Sequence, residues 1–268
     1  MRSLDIQGHR GARGLLPENT LPAFARALSI GVSTLELDCA ITRDGVVVVS
    51  HDSTLNPEIT RGDDGAWITR ADLPISQYTY DELRRFDVGR IDPASDYARR
   101  FPHQQPIDGT RMPKLEDVFA LAQKACNDTV RFNIETKLSP LHPERTVAPE
   151  AFAQSLIAVI QRHQMQNRAM VQSFDWRTLA VVQAEAPEIA ARREAYTKHA
   201  IEQGVFGAPS WRAAEREAIE RATFWLEQIG LKDRADDAAH VDFNRFIADV
   251  AARYSLAIVR RALRLLAA

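Results

Sequence analysis

Short strand-like runs alternate with helical patterns from residue 4 to about residue 190, and this alternation constrains the chain more than any other feature. Residues 4–7 read as a first strand. Residues 17–20 form a turn that opens a helix, with Leu21, Phe24, Ala25 and Leu28 at helical spacing. A second strand spans 34–41. A tight turn at 42–45, with freedom supplied by Asp44-Gly45, leads to a third, buried strand at 46–49. Further on, the pattern predicts helices at 114–124, 149–163 and 177–184, with strands at 130–135 and 170–174. Alternation of this kind predicts an α/β fold, a parallel sheet with crossover helices. The long polar stretch 53–111, which holds Pro57, Gly62, Gly65, Pro74, Pro93, Pro102 and Pro106, reads as a functional lid or an insertion.

The pattern changes at about residue 191. Residues 211–229 and 241–266 are continuously helical in period, and Phe243, Phe246, Ile247, Val250, Tyr254 and Ile258 share one face. The expected organisation is therefore a barrel portion over 1–192 and a helical segment over 193–268. Asp242 and Asp249, seven apart in that segment, read as a solvated face. A length of 268 residues suits one large α/β barrel or two modest domains. The net charge of −2 offers no polyanion-binding surface, so nucleic acid is not an expected partner. Cys39 and Cys126 read as small buried thiols of a reducing compartment. No apolar run approaches the ~18 residues that span a bilayer. The first residues lack an apolar leader core, and a cytoplasmic location is expected. Oligomeric state is not legible.

In a parallel barrel the active site lies at the C-terminal ends of the strands. His9 and Arg10 follow the first strand; Glu36 and Asp38 close the second. Two apart on a strand, these acids point to one face. His51 and Asp52 follow the third strand, and Glu135 and Lys137 close the next. Singly, such residues are more often solvated carboxylates and surface histidines; their delivery to one rim carries the functional reading. Three carboxylates offer hard oxygens to Mg²⁺ or Ca²⁺. Two histidines can exchange protons near neutral pH. Arg10 and Lys137 can stabilise charge on a phosphate.

These residues fall in a set of motifs: Gly8-His9-Arg10-Gly11, Pro17-Glu18-Asn19-Thr20, Glu36-Leu37-Asp38, Thr42-Arg43-Asp44-Gly45, Val48-Val49-Ser50-His51-Asp52 and Asn133-Ile134-Glu135-Thr136-Lys137. In kind and order the set resembles the glycerophosphodiester phosphodiesterase family. Gln172-Ser173-Phe174 also looks like a family strand. The resemblance implies a (β/α)₈ barrel of the TIM type and one divalent cation, Mg²⁺ or Ca²⁺, held by Glu36, Asp38 and Glu135. It implies acid–base roles for His9 and His51, phosphate contacts by Arg10 and Lys137, and a loop-holding role for Asn19. The stretch after His51 matches the family's usual insertion.

The resemblance covers roughly residues 5–190. The family's later Trp-Thr-Val-Asn-like and Gly-Ile-Ile-Thr-Asp-x-Pro-like motifs are not found, so the barrel is expected to be incomplete or atypical in its C-terminal third. The leading expectation is hydrolysis of a small-molecule glycerophosphodiester to glycerol 3-phosphate and an alcohol. A lysophospholipase D-like phosphodiesterase is the runner-up within the enzyme class. A non-catalytic protein built on an incomplete barrel is the alternative from another class.

Overall fold

The structure, a computed structural model, describes residues 5–138 and 142–193. Its elements in chain order are β1 (Gln7–His9), α1 (Leu21–Ile30), β2 (Thr34–Ile41), β3 (Val47–Val49), α2 (Tyr80–Leu83), α3 (Asp96–Arg100), α4 (Leu115–Lys124), β4 (Arg131–Thr136), α5 (Pro149–Arg162), β5 (Ala169–Ser173), α6 (Trp176–Glu185) and β6 (Ala190–Arg193). The sheet runs β1-β2-β4-β5-β6, with β3 attached to β2. The pairs β1–β2, β2–β4 and β4–β5 are parallel, and each step is bridged by a helix. This sequential winding is that of a TIM-type (β/α)₈ barrel. The segment expected to be helical lies, from residue 194 on, outside the described residues.

Local chemistry explains the elements. The Thr20 hydroxyl accepts from the Ala23 amide to cap α1, and Gly31 ends that helix at φ 88°, where a side chain would be strained. Helix α1 buries Ala23, Phe24 and Ala27; Ala25 faces solvent, one position off the stripe read from spacing. Strand β2 is buried along its whole length, as a strand covered on both faces must be. Phe24, Phe119, Phe132 and Phe152 are fully buried in the main core, and Phe119 meets Phe132 edge-on at 4.8 Å. Each such burial stabilises the fold by about 1.5–3 kcal/mol.

Several expectations need correction. The first strand begins at Gln7 and contains His9, so the histidine lies on the strand and not after it. The run at 46–49 is not a further parallel strand: β3 lies antiparallel to β2, with Cys39 opposite Val49 and Ile41 opposite Val47. The reason is connection length. A parallel neighbour needs a crossover of a dozen or more residues, and the link after Ile41 is a tight turn. The Thr42 amide donates to the Val46 carbonyl at 3.0 Å, closing a hairpin. Strand β6 extends the regular alternation past residue 190, where no strand was anticipated. Cys126 is exposed; only Cys39 is buried.

Residues 53–111 are a packed substructure. Leu55, Ile75, Leu83 and Met112 form a small core with Ala40 and Val48 of the β2–β3 hairpin. The Asp87 carboxylate accepts from the Gly89 and Gly109 amides at 2.8 and 2.9 Å and pairs with Arg61. Gly89 is obligatory, because a Cβ there would lie 1.9 Å from the Ile107 carbonyl oxygen. The prolines and glycines that read as loop shape this packing.

Candidate active site

Strand register assembles the site. Parallel pairing sets His9 opposite Glu36, and Asp38 opposite Glu135. Because Glu36 and Asp38 are two apart, both point the same way, and Glu135 joins them from the next strand. Carboxylate oxygens of Glu36, Asp38 and Glu135 lie within 4.8 Å of one another, and all three residues are buried. Lys137, two residues past Glu135, sits between acids, with Nζ 3.0 Å from Asp38 Oδ1 and 2.5 Å from Glu135 Oε1.

Electrostatics reflect this crowding. Burial, and then the Asp38 carboxylate beside it, push Glu36 up to about 8. Burial likewise raises Glu135, although Lys137 opposes it. Burial also works against ionisation of Asp38, yet Lys137, His51, Arg10 and the Asn19 hydrogen bond hold it below the usual carboxylate range. Lys137 is raised: burial disfavours its charge, but Asp38 and Glu135 prevail. Three buried oxygen donors, with the Asp38 charge raising the proton affinity of both glutamates, fit a hard divalent cation.

The β1–α1 loop closes one side. Gly11 takes φ 80°, and a Cβ there would meet the Ala23 backbone at 2.7 Å. Arg10 and Asn19 hold the left-handed conformation at φ 53° and 54°, a strain maintained by the Asn19 amide donating to the Arg10 carbonyl at 3.0 Å. The Arg10 amide donates to Glu36 Oε2 at 2.9 Å. Its guanidinium donates to Glu18 at 2.8 Å and lies 3.3 Å from Asp38 Oδ2. The Asn19 side chain donates to Asp38 Oδ2 at 2.9 Å, so it holds both loop and ligand. Tyr97 of α3 donates to the other oxygen of Glu18, which ties the insertion to the site.

The two histidines are held differently. His9 Nε2 lies 3.7 Å from Glu36 Oε2, and its Nδ1 accepts from Arg13 at 2.9 Å. A guanidinium only donates, so the neutral ring carries its proton on Nε2. Partial desolvation of the ring, then the charges of Arg13 and Arg10, lower His9 from its ordinary value; the side chain remains 55% exposed, so solvent screens much of this effect. His51 arrives because β3 runs back along β2 toward Asp38, the Ser50 amide donating to the Asp38 carbonyl. Its Nδ1 lies 2.9 Å from Asp52 Oδ1. An ionised carboxylate only accepts, which places the proton on Nδ1 and leaves Nε2 as the acceptor. Burial alone would raise Asp52, but His51 and Asn56 hold it below the usual range.

All seven residues singled out from the sequence are thus gathered here. Sequence reasoning did not single out Glu18, Tyr97, Arg13 or Gln172. Glu18 and Gln172 lie within motifs legible in the sequence; Tyr97 and Arg13 have no local signal. The Gln172 amide lies 3.3 Å from Glu36 Oε1 and 3.4 Å from Glu135 Oε2.

The model of the glycerophosphoryl diester phosphodiesterase family matches residues 9–219. The glycerophosphodiester phosphodiesterase of Caldanaerobacter subterraneus subsp. tengcongensis is 29% identical over 216 residues, covering 74% of this chain and 76% of that one. The uncharacterized protein YqiK of Bacillus subtilis is 28% identical over 184 residues, covering 69% and 63%. A solved structure from Silicibacter pomeroyi DSS-3, assigned as a glycerophosphoryl diester phosphodiesterase, is 35% identical with a TM-score of 0.66, covering 73% of this chain and 64% of that one. The chain therefore spans a little under two thirds of the length of the last two. It belongs to the glycerophosphoryl diester phosphodiesterase family. The match extends past residue 190, where the legible motifs stop. Among the described residues no helix is long and apolar enough to cross a membrane.

Proposed function

We propose that this chain hydrolyses a small-molecule glycerophosphodiester to glycerol 3-phosphate and an alcohol. The observation that carries the reading is the convergence of three buried carboxylates, Glu36, Asp38 and Glu135, on adjacent parallel strands, flanked by two histidines, one held by Arg13 and the other by Asp52. Glu36, Asp38 and Glu135 would hold one Mg²⁺ or Ca²⁺. When bound, that ion supplies Lewis-acid neutralisation of a phosphate oxygen.

The chain's own groups divide the remaining work. His51 accepts the proton of the attacking water at Nε2, while Asp52 holds its ring and steadies the imidazolium that forms. The anionic phosphodiester raises the proton affinity of His9, which takes a proton from solvent at Nδ1 in place of the Arg13 contact; the resulting imidazolium gives its Nε2 proton to the departing oxygen and returns to the neutral ring. Lys137 and Arg10 stabilise the charge that develops on the phosphate. Both are already paired with site acids, so their cost of ordering is met before substrate arrives.

The test is release of glycerol 3-phosphate from glycerophosphocholine in the presence of Mg²⁺ or Ca²⁺. Release that persists after rigorous chelation would remove the metal from the reading, and no release with either ion would remove the activity.

A further inference from the structure

We propose that Gln172 is a positioning residue for the divalent-cation site, its amide locked in one orientation by Asn133 so that its NH₂ group spans Glu36 and Glu135. The inference rests on the metal reading above and concerns a residue outside the three carboxylates.

The placement follows from register. On β5, Gln172 lies opposite Glu135 of β4, and on β4, Asn133 lies opposite Glu36 of β2. Gln172 is buried, as is Asn133. Gln172 Nε2 reaches Glu36 Oε1 at 3.3 Å and Glu135 Oε2 at 3.4 Å. Behind it, Asn133 Nδ2 donates to Gln172 Oε1 at 2.9 Å and to Gln7 Oε1 of β1 at 3.1 Å. One amide chain thus runs across β1, β4 and β5 and ends on two of the three acids.

The direction of that chain is forced. With a cation bound, the carboxylates are ionised and only accept. Gln172 must then offer its NH₂ to them and its carbonyl oxygen to Asn133. Asn133 must in turn donate, and it does so to both Gln172 and Gln7, leaving its own Oδ1 buried with no hydrogen-bond partner among the described residues. That unsatisfied oxygen is the cost of keeping Asn133 a pure donor toward its neighbours. The bonds also sort the carboxylate oxygens. Glu36 meets Gln172 through Oε1 and the Arg10 amide through Oε2; Glu135 meets Gln172 through Oε2 and Lys137 through Oε1. Removing Gln172 frees one oxygen of each acid to rotate and leaves their mutual repulsion undamped.

The experiment is calorimetric titration of the EDTA-treated full chain with Mg²⁺ alone and with Ca²⁺ alone, beside its thermal midpoint without metal. Gln172→Leu, which keeps bulk and removes both donors, should raise the cation Kd roughly ten- to a hundredfold, the usual scale for partners behind metal ligands. Asn133→Asp provides a second route. It cannot donate to Gln172, so it should weaken cation binding similarly while all three carboxylates and Gln172 remain. A Kd within threefold of wild type in either variant, in protein that melts normally, overturns the proposal and leaves the metal reading intact. Loss of thermal stability with unchanged Kd assigns Gln172 to packing and also overturns it. A wild-type chain that binds neither cation overturns both readings.

Discussion

The two halves of the candidate site are built in opposite ways. The acids sit on strand interiors: the Glu36, Asp38 and Glu135 side chains are 7%, 1% and 8% exposed. The histidines sit at the margin, with side chains 55% and 32% exposed for His9 and His51. Backbone register sets the acid positions, so they are as rigid as the sheet. Each histidine is instead oriented by one neighbour in sequence, Arg13 or Asp52. A cation site gains from rigid, desolvated donors, whereas a group that trades protons with substrate must remain accessible. Damage to the acids should therefore reach stability as well as activity, and damage to the histidines should be confined to activity.

The largest effect is expected at Asp38. Asp38→Ala strips Lys137 and Arg10 of a buried counter-charge, and should lower stability by roughly 3–5 kcal/mol while abolishing glycerol 3-phosphate release. Urea unfolding at neutral pH measures this; a fall of under about 1 kcal/mol would erase the rigid side of the contrast. Next comes metal removal. EDTA should abolish activity and added Mg²⁺ or Ca²⁺ should restore it.

His9→Ala and His51→Ala should each lower kcat by ~10²-fold or more. The unfolding midpoint of His9→Ala should stay near wild type, as exposed positions usually do to within about 0.5 kcal/mol, and that of the half-buried His51→Ala should fall less than in Asp38→Ala. A histidine variant that unfolds as readily as Asp38→Ala would break the comparison. Asp52→Ala sharpens it: His51 loses its orienting partner but keeps its ring, so kcat should fall less than in His51→Ala.

The smallest effect belongs to Asp5, which ties β1 to its neighbours outside the site. Burial opposes its ionisation, yet hydrogen bonds from Thr34, Ser33 and Gln7 and the charge of Arg131 bring it down to about 2. Its folded value lies below the unfolded one, so its stabilisation is present above about pH 4 and is lost as pH falls toward 2. The side chain is 38% exposed, so solvent screening limits the contribution to at most about 1 kcal/mol. Asp5→Asn should be measurably less stable than wild type at pH 7 and indistinguishable from it near pH 2.

The sequence by itself determined the acid half. Glu36 and Asp38, two apart in an apolar run, already share a face because the strand period of two is local; Glu135 joins them through the pairing of β2 with β4. The motif order likewise carried the family and the TIM-type fold. That β3 turns back along β2 was already implied by the tight Asp44-Gly45 turn, which is too short for the crossover that a parallel neighbour needs. Only tertiary structure showed that the polar stretch 53–111 packs a core, and that Tyr97, 79 residues from Glu18, joins the site. The Gln172–Asn133 chain also belongs to tertiary structure, whereas each histidine's partner, Arg13 or Asp52, lies within four residues of it. A hydrogen bond's direction is set by the partner that cannot reverse its role, and for Gln172 that partner is reached only when parallel strands far apart in sequence come together.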